Sequence, residues 1–487
     1  MKNLSFYRTI VTAIAGGTIL FTGSVTQAQA LSRARGGIPL QSRLVRQRQS
    51  PASSIPAAPG YPTYRLIELP TLGGPNSGQV APAVTLNNRG DAIAVASTDM
   101  LDPNPFTLQD EFIWHGILSD AKGLVSDLGA LPGTNQSLPV WISGNGLIVG
   151  ASENGLTDET VDFPQLRPVW WDSARNIHDL GTFGGNTGWA TTVNNRGQVA
   201  GYTTNMIPED PDAASFMNGF LPAGQQVRAF LWEGGALSDL GTLGGNDAAA
   251  QAINENGEIA GLSYTNTIIN ETTGLPTVHP FLWKNGTMQD LGSLGGSLAT
   301  PASFANGPFG KFLNARGEVA GTSLLPGDED WHAFLWSNGR MIDLGTLGGN
   351  VSDAYAINDG GQVVGRARTT NVVGSHHPFL WEKGGMADLG VVAPCTRGTA
   401  KAINSRGDVA GGFGGCGPDP DDRTYFRGFY WQKGKPIVDV NTLITPASDV
   451  WVDEISFIND TGTMIGAGIL PDGSTRAVLL IPIPPGH

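Results

Sequence analysis

One stretch of about fifty residues recurs along most of the chain. The segment "AFLWSNGRMIDLGTLGG" at 333–349 follows "PFLWKNGTMQDLGSLGG" at 280–296 and "AFLWEGGALSDLGTLGG" at 229–245. Each copy is followed by a second motif, Asn-x-x-Gly-x-Val-x-Gly, whose turn recurs seven times between Asn87 and Gly462, with "ISGNG" ending at Gly146 as a degraded copy. Eight units spaced 44–60 residues apart indicate a repeat architecture.

The residues within each unit favour β-structure. Valine, isoleucine and aromatic residues form runs of four to six, bounded by Gly, Asn and Asp. Asn338-Gly339 and Asn285-Gly286 are two-residue hairpin signals, because the favoured turn needs positive φ at both positions. The 68 glycines would destabilise helices. Four short strands per unit predict an all-β chain, a β-propeller of eight four-stranded blades, with a parallel-coil solenoid as the second choice.

The two ends of the array complement each other. The array opens at Tyr64 with "YRLIELPTLGG", a second strand that lacks its first, and finishes with "RAVLLIP", a first strand that lacks its second. Joined, residues 476–480 and 64–74 make one complete unit. An open array would need polar caps, so we predict a ring closed by pairing of the N-terminal and C-terminal strands.

The combined motifs resemble a known family. "HAFLW" at His332–Trp336, with "DLGTLGG" and "INxxGxVVG", is similar to the HAF-type extracellular repeat of exported bacterial proteins, and the likeness covers residues 64–480. Unit five departs by the insertion "SLATPASFANGPFGKF" and unit seven by "DLGVVAPCTRG". The resemblance implies export and repetition, and supplies no catalytic residues.

The N-terminal sixty residues differ from the rest. Residues 1–30 have a basic start, an apolar run and "AQA", which predicts a signal peptide cleaved after Ala30 and a secreted or periplasmic protein. Residues 31–60 have five arginines, no acid and a Pro/Ala/Ser tail, and are interpreted as a disordered linker that could also touch an anionic surface polymer. We place the repeat domain at residues 61–487.

Charge limits the partners. The formal charge of −14 becomes −21 over residues 61–487, because residues 1–60 hold seven Lys or Arg and no acid. This argues against nucleic acid, whose phosphates need the opposite sign. No later stretch of the sequence is long and apolar enough to span a membrane as a helix, and we expect a monomer.

A basic residue enters almost every first strand of the repeat. These residues are Arg167, Arg228, His279, His332, His377, Arg427 and Arg476, and the first unit breaks the pattern with Glu111 before Phe112. The turn at Asn338-Gly339 places Phe334 opposite Asp343, so His332 lies diagonally from that aspartate, and His279 likewise from Asp290. We interpret the set as an ion pair that fixes each blade. The alternative is a cationic ring around the pore that binds an anionic ligand.

Tryptophans and acidic loops supply further candidates. Among the tryptophans outside the repeated Phe-x-Trp pair, Trp331 adjoins an acidic loop and is the best platform for a sugar ring. The long connections gather on one face of a propeller. Two of these loops carry Asp328, Glu329, Asp330 and Asp419, Asp421, Asp422. These carboxylates are either solvated or bind calcium, which is the one cofactor considered.

The two cysteines lie in one unit. Cys395 and Cys416 are equally far from the centre of the turn at Ser405-Arg406, so they face each other across a hairpin. Because export permits oxidation, we predict a structural disulfide.

Two classes of function remain. We favour a secreted, non-enzymatic propeller that binds an extracellular polysaccharide or cell-surface protein, because the repeat itself explains every strongly specified residue. The alternative is an extracellular carbohydrate-active hydrolase or lyase, which requires unrepeated acids, bases or aromatics converging at the pore, with Trp331, Asp328 and Asp330 as first candidates. Residues that break the repeat on one side would favour an enzyme, and a ring of equivalent groups would favour binding.

Overall fold

The computed structural model describes residues 60–79, 85–102, 112–132, 136–158, 163–208, 224–301, 303, 310–417 and 426–484. These residues form eight four-stranded antiparallel sheets arranged in a ring, which confirms the β-propeller of eight blades. A 3-10 helix spans Val440–Leu443. No helix within the described ranges has the length and apolarity needed to cross a membrane.

The strands are numbered along the chain, and seven blades take four consecutive strands each. Blades 1 to 4 contain, in order, β2 (Gly73–Gly78), β3 (Ala92–Leu101), β4 (Phe112–Ser119), β5 (Val125–Gly129); β6 (Ser137–Ile142), β7 (Ile148–Asp158), β8 (Phe163–Trp171), β9 (Ile177–Asp179); β10 (Gly184–Val193), β11 (Val199–Pro208), β12 (Gln225–Glu233), β13 (Ala236–Asp239); β14 (Ala248–Ile253), β15 (Ile259–Ile269), β16 (Pro276–Lys284), β17 (Thr287–Asp290).

The remaining blades follow the same order. Blades 5 to 8 contain β18 (Ala299–Thr300), β19 (Val319–Leu324), β20 (Trp331–Ser337), β21 (Arg340–Asp343); β22 (Ser352–Ile357), β23 (Val363–Arg368), β24 (His376–Glu382), β25 (Gly385–Asp388); β26 (Arg397–Ile403), β27 (Val409–Gly414), β28 (Arg427–Trp431), β29 (Val438–Asp439); and β30 (Trp451–Ile458), β31 (Met464–Ile469), β32 (Thr475–Pro482) with β1 (Tyr64–Glu68).

The eighth blade closes the ring as the sequence predicts. Its fourth strand is β1, which pairs antiparallel with β32 from Tyr64 opposite Pro482 to Glu68 opposite Val478. First strands of neighbouring blades contact one another, as in β6 with β10, β10 with β14, β22 with β26 and β26 with β30. In a propeller the first strands surround the axis and the fourth strands form the rim. Because every blade is an up-and-down meander, the Asn-x-x-Gly turns lie on one face of the ring, called here the turn face. The long connections lie on the opposite face, called the loop face.

The asparagine of each Asn-x-x-Gly turn explains that motif. In blade 6, Oδ1 of Asn358 accepts hydrogen bonds from the amides of Gly360 and Gln362, at 3.0 and 3.1 Å. Its Nδ2 donates to the side chain of Gln362 and, at 3.0 Å, to the carbonyl oxygen of Asn404 in the next blade. The buried side chain therefore closes its own turn and ties two blades together.

This link between blades runs around the whole ring. Each motif asparagine donates to the equivalent carbonyl of the next blade, for Asn194, Asn254, Asn314, Asn358, Asn404, Asn459 and Asn87 in turn. Blade 2 has Ser143 at this position, and there Asn145 bonds the backbone and side chain of Asn195 instead. The degraded second copy thus keeps the ring of hydrogen bonds by a neighbouring residue.

The predicted disulfide is present between Cys395 and Cys416. Cys395 precedes the first strand of blade 7 and Cys416 follows the second, and they continue the register in which Arg397 lies opposite Gly414. Both cysteines are buried and pack beside Val391 and Val392, which stand where other units have "TLGG".

Candidate functional site

The basic residues of the repeat form ion pairs in seven blades. Each lies on a third strand and bonds an aspartate near the end of the fourth strand, as His115–Asp127 (3.1 Å), Arg167–Asp179 (3.0 Å), Arg228–Asp239 (2.9 Å), His279–Asp290 (2.9 Å), His332–Asp343 (2.8 Å), His377–Asp388 (2.9 Å) and Arg427–Asp439 (3.1 Å). The predicted register is confirmed, since Phe334 lies opposite Asp343. These basic residues therefore lie in the outer half of each blade.

Each aspartate also holds the turn that follows it. Asp343 accepts the amide of Gly345 at 2.8 Å, two residues along. Burial acts to raise the pKa of Asp343, but the hydrogen bonds from His332 and Gly345 and the charge of His332 together lower that pKa below its ordinary value. The pKa values of Asp127 and Asp290 are lowered by the same balance of causes. The geometry supports the interpretation that each pair links the third and fourth strands of its own blade.

Two units differ from the sequence-based alignment. The first unit does not break the pattern, because Ile117 lies opposite Asp127 and His115 occupies the basic position. The expected break at Glu111 is wrong because the triplet at Phe112–Trp114 imitates the repeated Phe-x-Trp pair. In the eighth unit, Arg476 donates to the carbonyl oxygen of Pro75 at 2.6 Å.

The second strands divide the ring into two halves. All eight begin five residues after the position of the turn asparagine, on the turn face, but they run for 10 or 11 residues in blades 1–4 and for 6 in blades 5–8. Four extra residues extend a strand by about 13 Å. The loop face therefore has a raised arc, formed by the ends of β3, β7, β11 and β15, beside a lower half.

The raised arc exposes aliphatic side chains in each of its four blades. Met100, Leu156, Met206 and Ile268 are 52%, 60%, 74% and 76% exposed. Near each exposed residue the strand bends, and a polar side chain accepts a hydrogen bond from the amide two residues along. Oδ1 of Asn205 accepts from the amide of Ile207 at 2.9 Å, and Oδ1 of Asn266 accepts from the amide of Ile268 at 2.8 Å. Asn154 and Thr98 do the same for Leu156 and Met100. The four second strands of the arc hold no Lys or Arg.

A group of basic residues lies on the lower half, and we call Arg366, Arg368, His376 and Arg397 the cationic cluster. Arg366 and Arg368 are two residues apart on β23 and so share one face of the sheet. His376 on β24 lies directly opposite Arg368. Arg397 begins the first strand of blade 7, and its Nη1 would lie 3.8 Å from a Cβ built on Gly374, in the connection that leads to His376.

Neighbouring side chains hold the arginines. Nε of Arg366 bonds Oδ2 of Asp353 at 2.9 Å, and Oδ1 of that aspartate is 3.3 Å from Oγ of Ser303. Nη1 of Arg368 donates to Oδ1 of Asn350 at 3.1 Å. The side chain of Asp353 is 2% exposed, whereas that of Arg366 keeps a quarter of its surface.

Aromatic rings flank the cluster. The guanidinium carbon of Arg368 is 6.0 Å from the ring centre of Trp331, and that of Arg397 is 5.9 Å from Phe426. The guanidinium of Arg366 lies 6.0 Å from the ring of Tyr355. The structure thus brings Trp331, selected from the sequence as a sugar platform, against a cation.

Burial, and after it the charges of Arg366, Arg397 and Arg368, lower the pKa of His376 to about 2. This imidazole is therefore neutral at physiological pH. Burial and the charge of Arg366 likewise lower the pKa of Arg368 from its usual value. Burial is the largest cause of both shifts and the neighbouring arginine charges add to it, whereas Tyr355 and Asp353 raise the pKa of Arg366.

Two of the acidic-loop candidates beside the cluster accept hydrogen bonds from neighbouring residues. Asp328 accepts hydrogen bonds from the amide and hydroxyl of Ser297, at 2.7 and 2.9 Å. Asp330 accepts from Asn350, the same side chain that bonds Arg368. Glu329 faces solvent. Within the described ranges, no three His, Cys, Asp or Glu residues are grouped so as to hold a metal ion. Asp419, Asp421 and Asp422 lie outside the described residues.

The repeat does not predict the cationic cluster, because the residues of the cluster depart from the repeated pattern. Aligned on the glycine of the second strand, "VVGRAR" of blade 6 stands against "VAGYTT" and "IAGLSY" of blades 3 and 4. The departure is visible in the sequence, but only the register shows that Arg366, Arg368 and His376 converge.

No protein-family model matches the chain, and no curated protein matches it. Among solved structures, the chain is similar to dipeptidyl peptidase 4 of Porphyromonas gingivalis, at 12% identity over 78% of this chain and 56% of that one, with a TM-score of 0.39. It is similar to virginiamycin B lyase of Staphylococcus aureus, at 12% identity over 86% and 100%, with a TM-score of 0.33. It is also similar to hydrazine synthase of Kuenenia stuttgartiensis, at 9% identity over 66% of this chain and 46% of that one, with a TM-score of 0.34. This chain therefore spans about half the length of that protein.

Proposed function

We propose that this protein is an exported, non-enzymatic propeller that binds an extracellular polysaccharide on the lower half of its loop face. The observation that carries the proposal is the place where the repeat is broken. Three arginines and a neutral histidine converge at blades 6 and 7, flanked by Trp331 and Phe426, where most other blades carry neutral residues. A cell-surface protein is the other ligand that the same face would admit.

The chemistry of the cluster supports binding over catalysis. Guanidinium groups do not exchange protons at physiological pH, so the arginines cannot act as general acids or bases. Among the described residues, two carboxylates beside the cluster have structural partners, Asp353 with Arg366 and Asp330 with Asn350. A glycosidase needs two carboxyl groups free to face the scissile bond. This arrangement offers positioned donors and aromatic surface.

A carbohydrate-active hydrolase or lyase remains the second candidate, and one observation favours it. The cluster consists of unrepeated groups gathered on one side, which is the arrangement that an enzyme on this scaffold requires. His376 is the titratable side chain of this group, although a pKa lowered to about 2 makes its imidazole a weak proton acceptor.

The proposal includes export of the protein and its resemblance to the HAF-type repeat family. The signal-peptide pattern of residues 1–30 and the resemblance to the HAF-type repeat both support a secreted or periplasmic site of action. The disulfide between Cys395 and Cys416 is consistent with an oxidising compartment. Calcium binding by the acidic loops stays a prediction, to be tested by adding the ion to the binding assay.

The experiment incubates residues 31–487 with insoluble cell-wall and plant polysaccharides and measures both the protein retained and the sugar released. We expect retention without release of sugar. Retention should fall for Arg368→Gln and be unchanged for Arg340→Gln, since Arg340 is an exposed arginine beside a hairpin turn on the turn face. Released sugar that disappears in His376→Ala would replace the binding function with the enzymatic one. Absence of both retention and release would reject both in favour of a protein ligand.

A further inference from the structure

Exposed apolar side chains are concentrated on one face of the ring. Among the described residues, eight of the ten strongly exposed large hydrophobic side chains lie on the loop face. Six of these belong to the raised arc and two to blade 6, namely Met100, Leu101, Leu156, Met206, Ile207, Ile268, Val372 and Val373. The other two are Leu124, in the turn between β4 and β5 on the turn face, and Ile342 on the outer strand β21. Apolar surface gathered in this way is typical of an interaction site.

The two valines of blade 6 form the tip of a hydrogen-bonded connection between β23 and β24. Val372 and Val373 are 67% and 83% exposed. The amide of Thr369 donates to the carbonyl oxygen of Ser375 at 2.9 Å, and the amide of Ser375 donates to that of Val372 at 3.2 Å. Oγ of Ser375 also lies 2.9 Å from the carbonyl oxygen of Thr370. Because these bonds fix the connection, a partner that covers the valines has little loop entropy to remove.

The loop face has two levels, which divide the ring evenly. The second strands of blades 1–4 extend about 13 Å further than those of blades 5–8. The connections that follow β19, β23 and β31 are short, at residues 325–330, 369–375 and 470–474. A flat partner would therefore touch only the raised half. A partner with one raised half and one lower half can cover the whole face.

A second copy of the chain, turned over onto the loop face, has that shape. Rotation by half a turn about an axis in the plane of the face reverses the order of the blades around the ring. When the axis passes between blades 4 and 5 and between blades 8 and 1, blade 1 lies over blade 8, blade 2 over blade 7, blade 3 over blade 6 and blade 4 over blade 5. Every raised blade then faces a lower blade, and no other two-fold axis in this plane gives that match for eight blades. Such an interface is isologous, so each contact occurs twice and the assembly closes at two copies.

We propose that the protein forms a dimer through its loop face, with the raised arc of each copy over the lower half of the other. In this arrangement the end of β11, with Met206 and Ile207, contacts the tip of blade 6, with Val372 and Val373. Both sides of the contact are apolar and strongly exposed in the single chain, so the dimer removes their hydrophobic surface from water. This inference goes beyond the proposed function and does not rest on it.

The dimer and a polysaccharide compete for the lower half of the face. Arg368 ends β23 and His376 begins β24, so the connection that carries the two valines joins two members of the cationic cluster. The contact between the copies therefore lies against the cluster. Binding of a polymer and dimerisation weaken each other by the same factor, because the two equilibria are linked.

Sedimentation velocity of purified residues 31–487 over a range of concentrations tests the proposal. We expect a reversible equilibrium between monomer and dimer without larger species, because the two-fold contact closes at two copies. The formal charge of the chain is −14, so the copies repel each other, and higher salt should strengthen the dimer by screening that repulsion. A dimer weakened by salt would indicate ion pairs and overturn the apolar contact. A monomer at every concentration, as expected from the sequence, would overturn the proposal as a whole.

Paired variants locate the interface. The double variants are Met206→Ser with Ile207→Ser on the arc, and Val372→Ser with Val373→Ser on blade 6. Each should raise the dissociation constant of the dimer about tenfold or more, because each removes one side of the same apolar contact. Leu124→Ser is the matched control, since Leu124 is as exposed as Met206 but lies on the turn face, and it should leave the constant unchanged. Thermal unfolding of each variant shows whether the propeller is intact. A dimer that neither double variant weakens would place the interface elsewhere and reject the proposal.

Cysteine cross-linking tests the two-fold arrangement. Ile207→Cys and Val373→Cys each introduce one free thiol, because the native Cys395 and Cys416 are joined to each other. With oxidised glutathione, a mixture of the two variants should give a cross-linked dimer, since blade 3 faces blade 6. Neither variant alone should do so, because its two thiols lie in blades that do not face each other. Cross-linking of Val373→Cys with itself would place blade 6 over blade 6 and overturn the arrangement.

Failure of this inference and failure of the proposed function are distinguishable. Sedimentation needs no polysaccharide, so a dimer that no polymer retains would reject the proposed function and support the loop-face contact, provided that the double variants weaken it. Retention of a protein that stays monomeric at every concentration would reject the dimer and leave the polysaccharide-binding propeller in place.

Discussion

Blades 1–4 and blades 5–8 share one turn face and differ on the loop face. In both halves a motif asparagine closes its turn and bonds the next blade, as Asn254 and Asn358 do. In the first half the second strands run on into a raised arc with exposed aliphatic residues and no Lys or Arg. In the second half they stop after six residues, and the second strand of blade 6 carries two arginines near its end. The same turn-face hydrogen bonds thus link the blades in both halves, and the differences between the halves are confined to the loop face.

The ion pair of Asp353 and Arg366 should give the largest difference in stability between the halves. Asp353→Asn keeps the shape of the side chain but leaves the partly buried Arg366 without its counter-charge, so it should destabilise the protein by about 3–5 kcal/mol. Chemical denaturation measures the loss. The double variant Asp353→Ala with Arg366→Leu copies the neutral pair of blade 4 and should recover most of it. A double variant as unstable as the single one would show that the halves differ in more than this pair.

The disulfide is the next largest difference, and it too belongs to the second half. Replacing Cys395 and Cys416 by serine should cost about 3 kcal/mol, as expected for a closed loop of about twenty residues. Denaturation with and without reductant tests this, because reduced wild-type protein should match the double serine variant. An unchanged midpoint would mean that packing around Val391 and Val392 alone holds the hairpin.

The asparagines should behave alike in the two halves. Asn254→Ala and Asn358→Ala each remove hydrogen bonds to two backbone amides, one side chain and the next blade, and should each cost about 2–3 kcal/mol. Thermal unfolding of both variants gives the comparison. A large difference between them would contradict the view that the turn face is uniform. Ser143→Asn in blade 2, where Asn145 already makes the link, is the control and should change little.

Asp247 in blade 4 should respond in the opposite direction to Asp353. Burial raises the pKa of Asp247 to about 6, although the amide of Val227 and the charge of Arg228 oppose the rise. Since the folded protein holds this proton longer than the unfolded chain, stability falls as pH rises from about 4 to about 6 and is constant above that range. Asp247→Asn should therefore stabilise the protein by about 2 kcal/mol at pH 7.5. Denaturation at pH 4 should show no such gain, and a gain that did not depend on pH would count against a titrating Asp247.

The smallest effect is expected at the raised arc. Ile207→Ser and Ile268→Ser replace exposed side chains and should change the free energy of unfolding by less than about 0.5 kcal/mol. Retention on a hydrophobic-interaction column should nevertheless fall, because these residues form exposed apolar surface. Leu262→Ala, a buried position on the strand that carries Ile268, is the control and should cost about 2–5 kcal/mol. Loss of stability in the serine variants would show that the arc packs against other residues.

The sequence predicts the fold because each blade repeats the same local signals. The Asn-Gly turn after Trp336 sets the register of two strands, and that register places His332 against Asp343. Ring closure follows from the incomplete units at Tyr64 and Arg476. The error at Phe112 arose where a second aromatic triplet stood close to the true basic position, His115. Periodicity describes what blades have in common.

The cationic cluster lies outside what periodicity can predict. Arg366 and Arg368 differ from their equivalents by side chain alone, and Arg397 belongs to another blade. Their convergence depends on the pairing of β23 with β24 and on the packing of the following blade, which no single unit contains. The raised arc escaped prediction for a related reason. The extra strand length lies beyond the repeated glycine, and in isolation the asparagines at the bends, Asn205 and Asn266, are typical of loops.

The closure of the ring by β1 has a consequence for biosynthesis. Residues 64–68 leave the ribosome before any blade is complete, yet their partner strand at 475–482 is made more than four hundred residues later. The pairing of greatest sequence separation therefore forms last, after seven blades can already have assembled from neighbouring strands. Until then β32 is an unpaired edge, and such edges promote association between chains. The nascent protein is most exposed to misassembly at the end of its synthesis.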